Sequence, residues 1–165
     1  MDAILSTVLS TSIPAVISII GFIVTYASMK RNFQYELNKQ KSTIQLEKMS
    51  SMPFEVLSFM QEIIDSGKTK KGLLENQLKS KMEILFHTIF AYGSPSSIRI
   101  LATMQSENYL NAKSPESANT YRMMSFYILL ATQIRYDITG QIISPEEWFK
   151  MRLTDYNSSK DKFVI

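Results

Sequence analysis

The chain has 165 residues, a formal net charge of +3, one histidine, no cysteine and 45% hydrophobic residues. That length supports one small core and argues against a second independent domain. Without cysteine there is no thiol nucleophile, thiolate metal site or disulfide, and so small and spread-out a charge does not point to nucleic acid.

The first element is an uncharged run from Ala3 to Ser28, closed by Lys30 and Arg31. As a helix it extends about 39 Å at 1.5 Å per residue, enough for one crossing of a hydrocarbon layer of about 30 Å. Pro14 removes one backbone donor and is the expected kink. The chain opens Met1-Asp2, with no basic start and no clear cleavage pattern, so the expectation is a retained anchor and not a cleaved signal. Lys30, Arg31, Lys39 and Lys41 come after the run and no basic side chain precedes it. The positive-inside rule then puts the N-terminus outside an inner (plasma) membrane and the remainder in the cytoplasm.

Within the run, Thr7, Thr11, Pro14, Ser18, Gly21, Thr25 and Ser28 recur at alternating spacings of four and three. On a helix they form one small or polar stripe among Ile, Leu, Val and Phe. Such a face suits close helix approach or, in a ring of helices, a hydroxyl-lined lumen. The stripe is the expected site of homo-oligomerisation and pore lining, with Lys30 and Arg31 at the membrane interface.

Residues 30–52 lack glycine and, before Pro53, proline, and read as a helical stalk with Phe33, Leu37 and Ile44 on one side. Residues 53–165 read as a cytoplasmic bundle. Phe54, Val56, Leu57, Met60, Ile63 and Ile64 form one apolar face, ending at Gly67; Leu74, Leu78, Met82, Leu85 and Ile89 form the next, ending at Gly93. Ser94-Pro95, Ser114-Pro115 and Ser144-Pro145 each place a capping hydroxyl before a proline at the first helical position. They predict helices over 95–110, 115–139 and 145–156, the last with Ser144 and Glu147 as a capping box. The segment 123–134 is apolar on nearly all sides but too short for a bilayer, and is expected as the central buried helix. The expected fold is all-α: a transmembrane helix over 1–29, a juxtamembrane stalk over 30–52 and a compact helical sensor domain over 53–165.

Catalytic signals are lacking. There is no phosphate loop or dinucleotide fingerprint, and the lone His87, beside Phe86 and Phe90, is expected as a half-buried core or interface residue. No catalytic residue, metal or cofactor is assigned. The candidate partner or ligand contacts are Arg135 and Asp137, flanking the end of the central helix, and Trp148 and Phe149 among the rings of the C-terminal part. The C-terminal Phe163, Val164 and Ile165 form an apolar tip, either frayed or a docking tail.

The segment ILSTVLSTSIPAVISIIGFIVTYASMKRNF, followed by a compact helical domain, resembles the layout of small bacterial single-pass membrane effectors of antiphage defence. The resemblance implies a non-enzymatic, oligomerising protein whose bundle senses infection and whose anchors breach the membrane. It implies the bilayer, further copies of the chain and a phage protein assembly or other infection-derived trigger as partners, with no nucleic acid. Two alternatives stay open: a passive membrane-tethered adaptor or regulator, and an effector switched by a cyclic oligonucleotide.

Overall fold

The computed structural model describes residues 2–66, 72–154 and 156–163, apart from the side chains of 2–16, 72–75, 117 and 159. The described residues are helical, with no strand among them: α1 (Asp2–Met49), α2 (Met52–Ser66), α3 (Gly72–Tyr92), α4 (Pro95–Lys113), α5 (Thr120–Thr139), α6 (Pro145–Arg152) and the single turn α7 (Tyr156–Ser159), with short 3-10 turns at Pro115–Ser117 and Lys160–Phe163. The chain divides into two compact units, Met1–Ile44 and Gln45–Ile165. The boundary falls inside α1 because its last turn belongs to the bundle: Met49 is buried in the core, and Gln45 Nε2 donates to the Tyr92 carbonyl at 2.7 Å.

Among the described residues no helix is long and apolar enough to cross a membrane. The expected span begins at Ala3, and its side chains up to residue 16 lie outside the described set. What is described, from Ile17 to Ser28, is about a dozen residues against the roughly 20 that a crossing takes.

In the second unit α5 is the centre. Ser125, Phe126, Tyr127, Ile128, Leu130, Ala131 and Ile134 are all buried along it, as an all-round apolar segment too short for lipid requires. On it pack α2, through Met52, Val56, Phe59 and Met60, and α4, through Leu101 and Met104; α3 adds Leu85 and Ile89. The register of α2 differs from the sequence expectation. Phe54 is 76% exposed and Ile63 lies at the surface, whereas Phe59 is buried, its ring centroid 6.1 Å from that of Tyr127. His87 is also exposed, because the inward face of α3 is set by Leu85 and Ile89, and position 87 turns about 200° away from Leu85.

The ends of the helices obey local chemistry. Ser94 caps α4, its Oγ accepting from the Ser97 N–H, with Pro95 at the first position. Ser114-Pro115 starts only a 3-10 turn with no side-chain cap bond; the cap of α5 is Asn119, whose Oδ1 accepts from the Arg122 N–H. Ser144 caps α6 through the Glu146 N–H at 3.3 Å. The reciprocal half of a capping box is not made, since the Glu147 carboxylate turns to Lys150 at 3.2 Å. Helix α5 ends at Gly140, in the left-handed region at φ 68°, where glycine carries no steric penalty.

The helix expected over 145–156 stops at Arg152, and the chain returns through α7 to bury Phe163. The ring of Phe163 lies 4.3 Å from that of Phe149 and meets Tyr121 edge-on at 5.0 Å, while Ser125 Oγ donates to the Phe163 carbonyl at 3.2 Å. The docking-tail expectation therefore holds for Phe163; Val164 and Ile165 lie outside the described residues.

Two measurements test this core. Ile134 is fully buried on α5, so Ile134→Ala, followed by thermal unfolding of the full chain in detergent micelles, is expected to cost about 2–5 kcal/mol. Burial pushes the Tyr127 phenol from 10.0 up to about 12. The folded state then holds a proton that the unfolded state releases from pH 10 upward, so stability is whole below pH 10 and falls as pH rises toward 12, by roughly 2–3 kcal/mol at most. Tyr127→Phe is expected to flatten that part of the pH profile relative to the parent chain.

Candidate functional site

The first candidate region is the exposed surface of α1. Of the expected oligomerisation stripe, Thr7, Thr11 and Pro14 lie outside the described side chains. Ser18, Gly21, Thr25 and Ser28 are exposed on one helix face, and a Cβ added at Gly21 would meet nothing within 4 Å. Flanking them, Ile17, Ile19, Ile20, Phe22, Ile23 and Val24 are each more than half exposed. Lys30 and Arg31, also exposed, come just beyond the stripe. A small face beside a broad aliphatic one is an arrangement that joins helices in lipid; in water so much apolar side chain would be left uncovered.

The second region is the surface of the bundle. Helices α2 and α3 flank an apolar groove of about 280 Å³ lined by Phe54, Ser58, Phe59, Ile84 and Leu85. At its edge Lys81 Nζ donates to both Glu62 carboxylate oxygens, at 2.6 and 2.7 Å. Both partners are well exposed, so the pair fixes geometry more than it adds stability. A smaller hollow of about 110 Å³, lined by Leu57, Thr132, Arg135, Ile143, Trp148 and Met151, lies among α2, α5 and α6. Next to it Leu129, Tyr136 and Ile142 border a third depression of about 260 Å³.

The four candidate contacts separate in the structure. Arg135 is exposed and, among the described residues, forms no ion pair; it lines the smaller hollow with Trp148. Trp148 is half-buried, with the Arg152 guanidinium 5.8 Å above its ring. Phe149 is buried, stacked on Tyr156 at 5.7 Å and against Phe163, and is part of the core. Asp137 does not reach Arg135. Its Oδ2 accepts from Ser94 Oγ at 2.6 Å and Ser97 Oγ at 2.7 Å, and its Oδ1 from Gln133 Nε2 at 2.8 Å. The carboxylate thereby locks the end of α5 to the start of α4, where negative charge is also favoured by the helix dipole.

Arg135 and Asp137 are candidate contacts in the sequence because they flank the end of the central helix; two residues apart, they do not face each other, and the structure gives them different surroundings. The groove under Phe54 and Ile84 was missed. Phe54 stands about 200° from Val56 on α2, so once Val56, Phe59 and Met60 turn inward it faces the surface. Among the described residues no cluster of three His, Asp or Glu is placed to hold a metal ion.

Asp137→Ala leaves the fully buried Ser97 hydroxyl without its acceptor and is expected to destabilise the chain by about 2 kcal/mol, while Arg135→Ala stays within about 0.5 kcal/mol; chemical unfolding of the two variants side by side measures the difference. Compared with known proteins, the chain matches no family model, no curated protein and no solved structure.

Proposed function

We propose that the protein is a non-enzymatic, oligomerising membrane effector of bacterial antiphage defence, acting by abortive infection. In this reading residues 3–28 anchor the chain in the inner membrane with the N-terminus outside. The bundle on the cytoplasmic side binds a protein assembly produced during infection, and the gathered anchors open a pore or lesion.

The observation that carries the reading is the uncharged run Ala3–Ser28 with its small-residue stripe, on a helix whose described apolar side chains are exposed to an extent that water does not favour. A trigger that presents many copies of one binding surface gathers bundles in two dimensions. The anchors then meet at high effective concentration, and a weak contact through Ser18, Gly21 and Thr25 persists. A protein trigger is favoured over a cyclic oligonucleotide by the character of the grooves. Phosphates need several free cations, whereas Lys81 is engaged by Glu62, and Arg135 is the one basic side chain of the two hollows beside α5.

The test is dye entry and membrane potential in bacteria expressing the chain, with and without phage. Three forms are compared: the intact chain, one lacking residues 1–30, and one carrying Ser18→Leu, Gly21→Leu and Thr25→Leu together. Infection is expected to depolarise cells only with the intact chain, the triple variant losing about tenfold or more of the dye entry. Permeabilisation untouched by the triple variant would overturn the pore. Membranes that stay intact throughout would favour the passive tethered adaptor, whose anchor a polyleucine-like span should replace without loss.

A further inference from the structure

A second periodicity runs along α1 on the face opposite the small-residue stripe. Ile19, Ile23, Tyr26, Lys30, Phe33, Leu37, Gln40 and Ile44 succeed one another at strictly alternating spacings of four and three, the a and d positions of a heptad. The series covers about three and a half heptads, long enough to direct a coiled coil. Its six apolar members are all exposed: even Leu37, the least so, is at 38%, and Phe33 is at 66%. Lys30 and Gln40 are the single polar interruptions, of the kind that fix register in such seams.

We propose that this face pairs α1 with α1 of a second copy of the chain, in parallel and in register. The charges beside the seam select this occupant. With Leu37 at a and Gln40 at d, Glu36 falls at g and Lys41 at e of the next heptad. Those are the two positions that face each other across a parallel pair, five residues apart in sequence. Both side chains are exposed, and among the described residues neither has an ion-pair partner within its own chain. An in-register parallel pair brings Glu36 of each copy to Lys41 of the other on both flanks.

The seam also stops where such a contact has to stop. After Ile44 the next d position is Glu47, and the adjoining apolar residue of the last turn, Met49, is committed to the bundle core. Ile44 is likewise the last residue of the first compact unit. The pairing does not depend on a pore. Ser18, Gly21, Thr25 and Ser28 occupy the c and f positions, turned away from the seam, so a pair keeps its small-residue stripe open to further copies. The resting unit is then a dimer, and the stripe is the contact left for assembly.

The absence of native cysteine makes disulfide trapping direct. Full-length chains carrying Leu37→Cys, Ile44→Cys or Ser42→Cys are oxidised in membranes of uninfected cells. Leu37→Cys and Ile44→Cys are both expected to cross-link at least about tenfold faster than Ser42→Cys, which lies at f on the far side. An antiparallel seam would bring only one of the two to its own counterpart. Similar rates at all three positions, or cross-linking of only one seam position, overturns the proposal. A second measurement covers weakening by the cysteines themselves: Glu36→Lys and Lys41→Glu should each lower dimer affinity in detergent about tenfold, and the double exchange should restore it. Failure of the double variant to recover overturns the register. Neither result depends on the dye-entry outcome, so this proposal and the effector reading fail separately.

Discussion

The bundle is organised by the need to enclose α5. From Met123 to Ile134 that helix has almost no polar face, so no position of it relative to solvent is acceptable, and at a dozen residues it cannot turn to lipid for cover. Protein has to surround it. Helices α2 and α4 take the two broad flanks, α3 closes over α2, and the remaining exposure near Ser125 is removed by bringing the C-terminal segment back until Phe163 meets Phe149 and Tyr121. Polar anchors settle the position of each wall. Asp137 ties the last turn of α5 to the first turn of α4, and Ser125 holds the returning backbone at Phe163. Each bond satisfies a group at the edge of the core that enclosure would otherwise strand.

The same demand is left unmet on α1. Its Ile and Val side chains from Ile17 to Val24 are as apolar as those of α5, and each is more than half exposed. The difference lies in the connections between helices. Short links at Gly93, at 114–119 and at 140–144 fold α3 to α6 back on one another, while α1 runs unbroken to Met49, its last turn packing within the second unit through Gln45 and Met49.

The all-α class, the central helix ending at Thr139, the proline-led starts of α4 and α6 and the end of α3 at Gly93 were legible because each rests on local chemistry: a hydroxyl cap, a fixed φ, a helix-ending glycine, or an apolar run longer than one face. Three features were not legible, and all depend on tertiary choices. The inward face of α2 takes Phe59, which meets Tyr127 nearly 70 residues away in sequence, and so leaves Phe54, about 200° from Val56, at the surface. Asn119 displaces Ser114 as the cap of α5 because the intervening residues form a 3-10 turn and not a helical one. Asp137 looked available for a ligand because its three hydrogen-bond donors come from positions 94, 97 and 133, two of them outside its own helix. The candidate contacts were legible as chemically capable residues, but the packing alone assigns Phe149 to the core and leaves Arg135 and Trp148 at the surface.

The two faces of α1 also differ in the medium that can satisfy them. Ile19, Ile23 and the residues around them precede Lys30 and Arg31, and under the proposed membrane anchoring lipid chains are an adequate partner there, so exposure in that stretch does not by itself require another protein. Beyond Arg31 that solution ends. Phe33, Leu37 and Ile44 lie on a polar, charge-bearing stretch of helix, beyond the bilayer of the proposed anchoring, and they still keep the spacing begun at Ile19. A pattern that persists across such a change of solvent is not set by the solvent. In the pairing proposed above, a second helix running alongside is what stays constant on both sides of the boundary, and of the charges flanking the seam, Glu36 and Lys41 would match a partner identical to themselves.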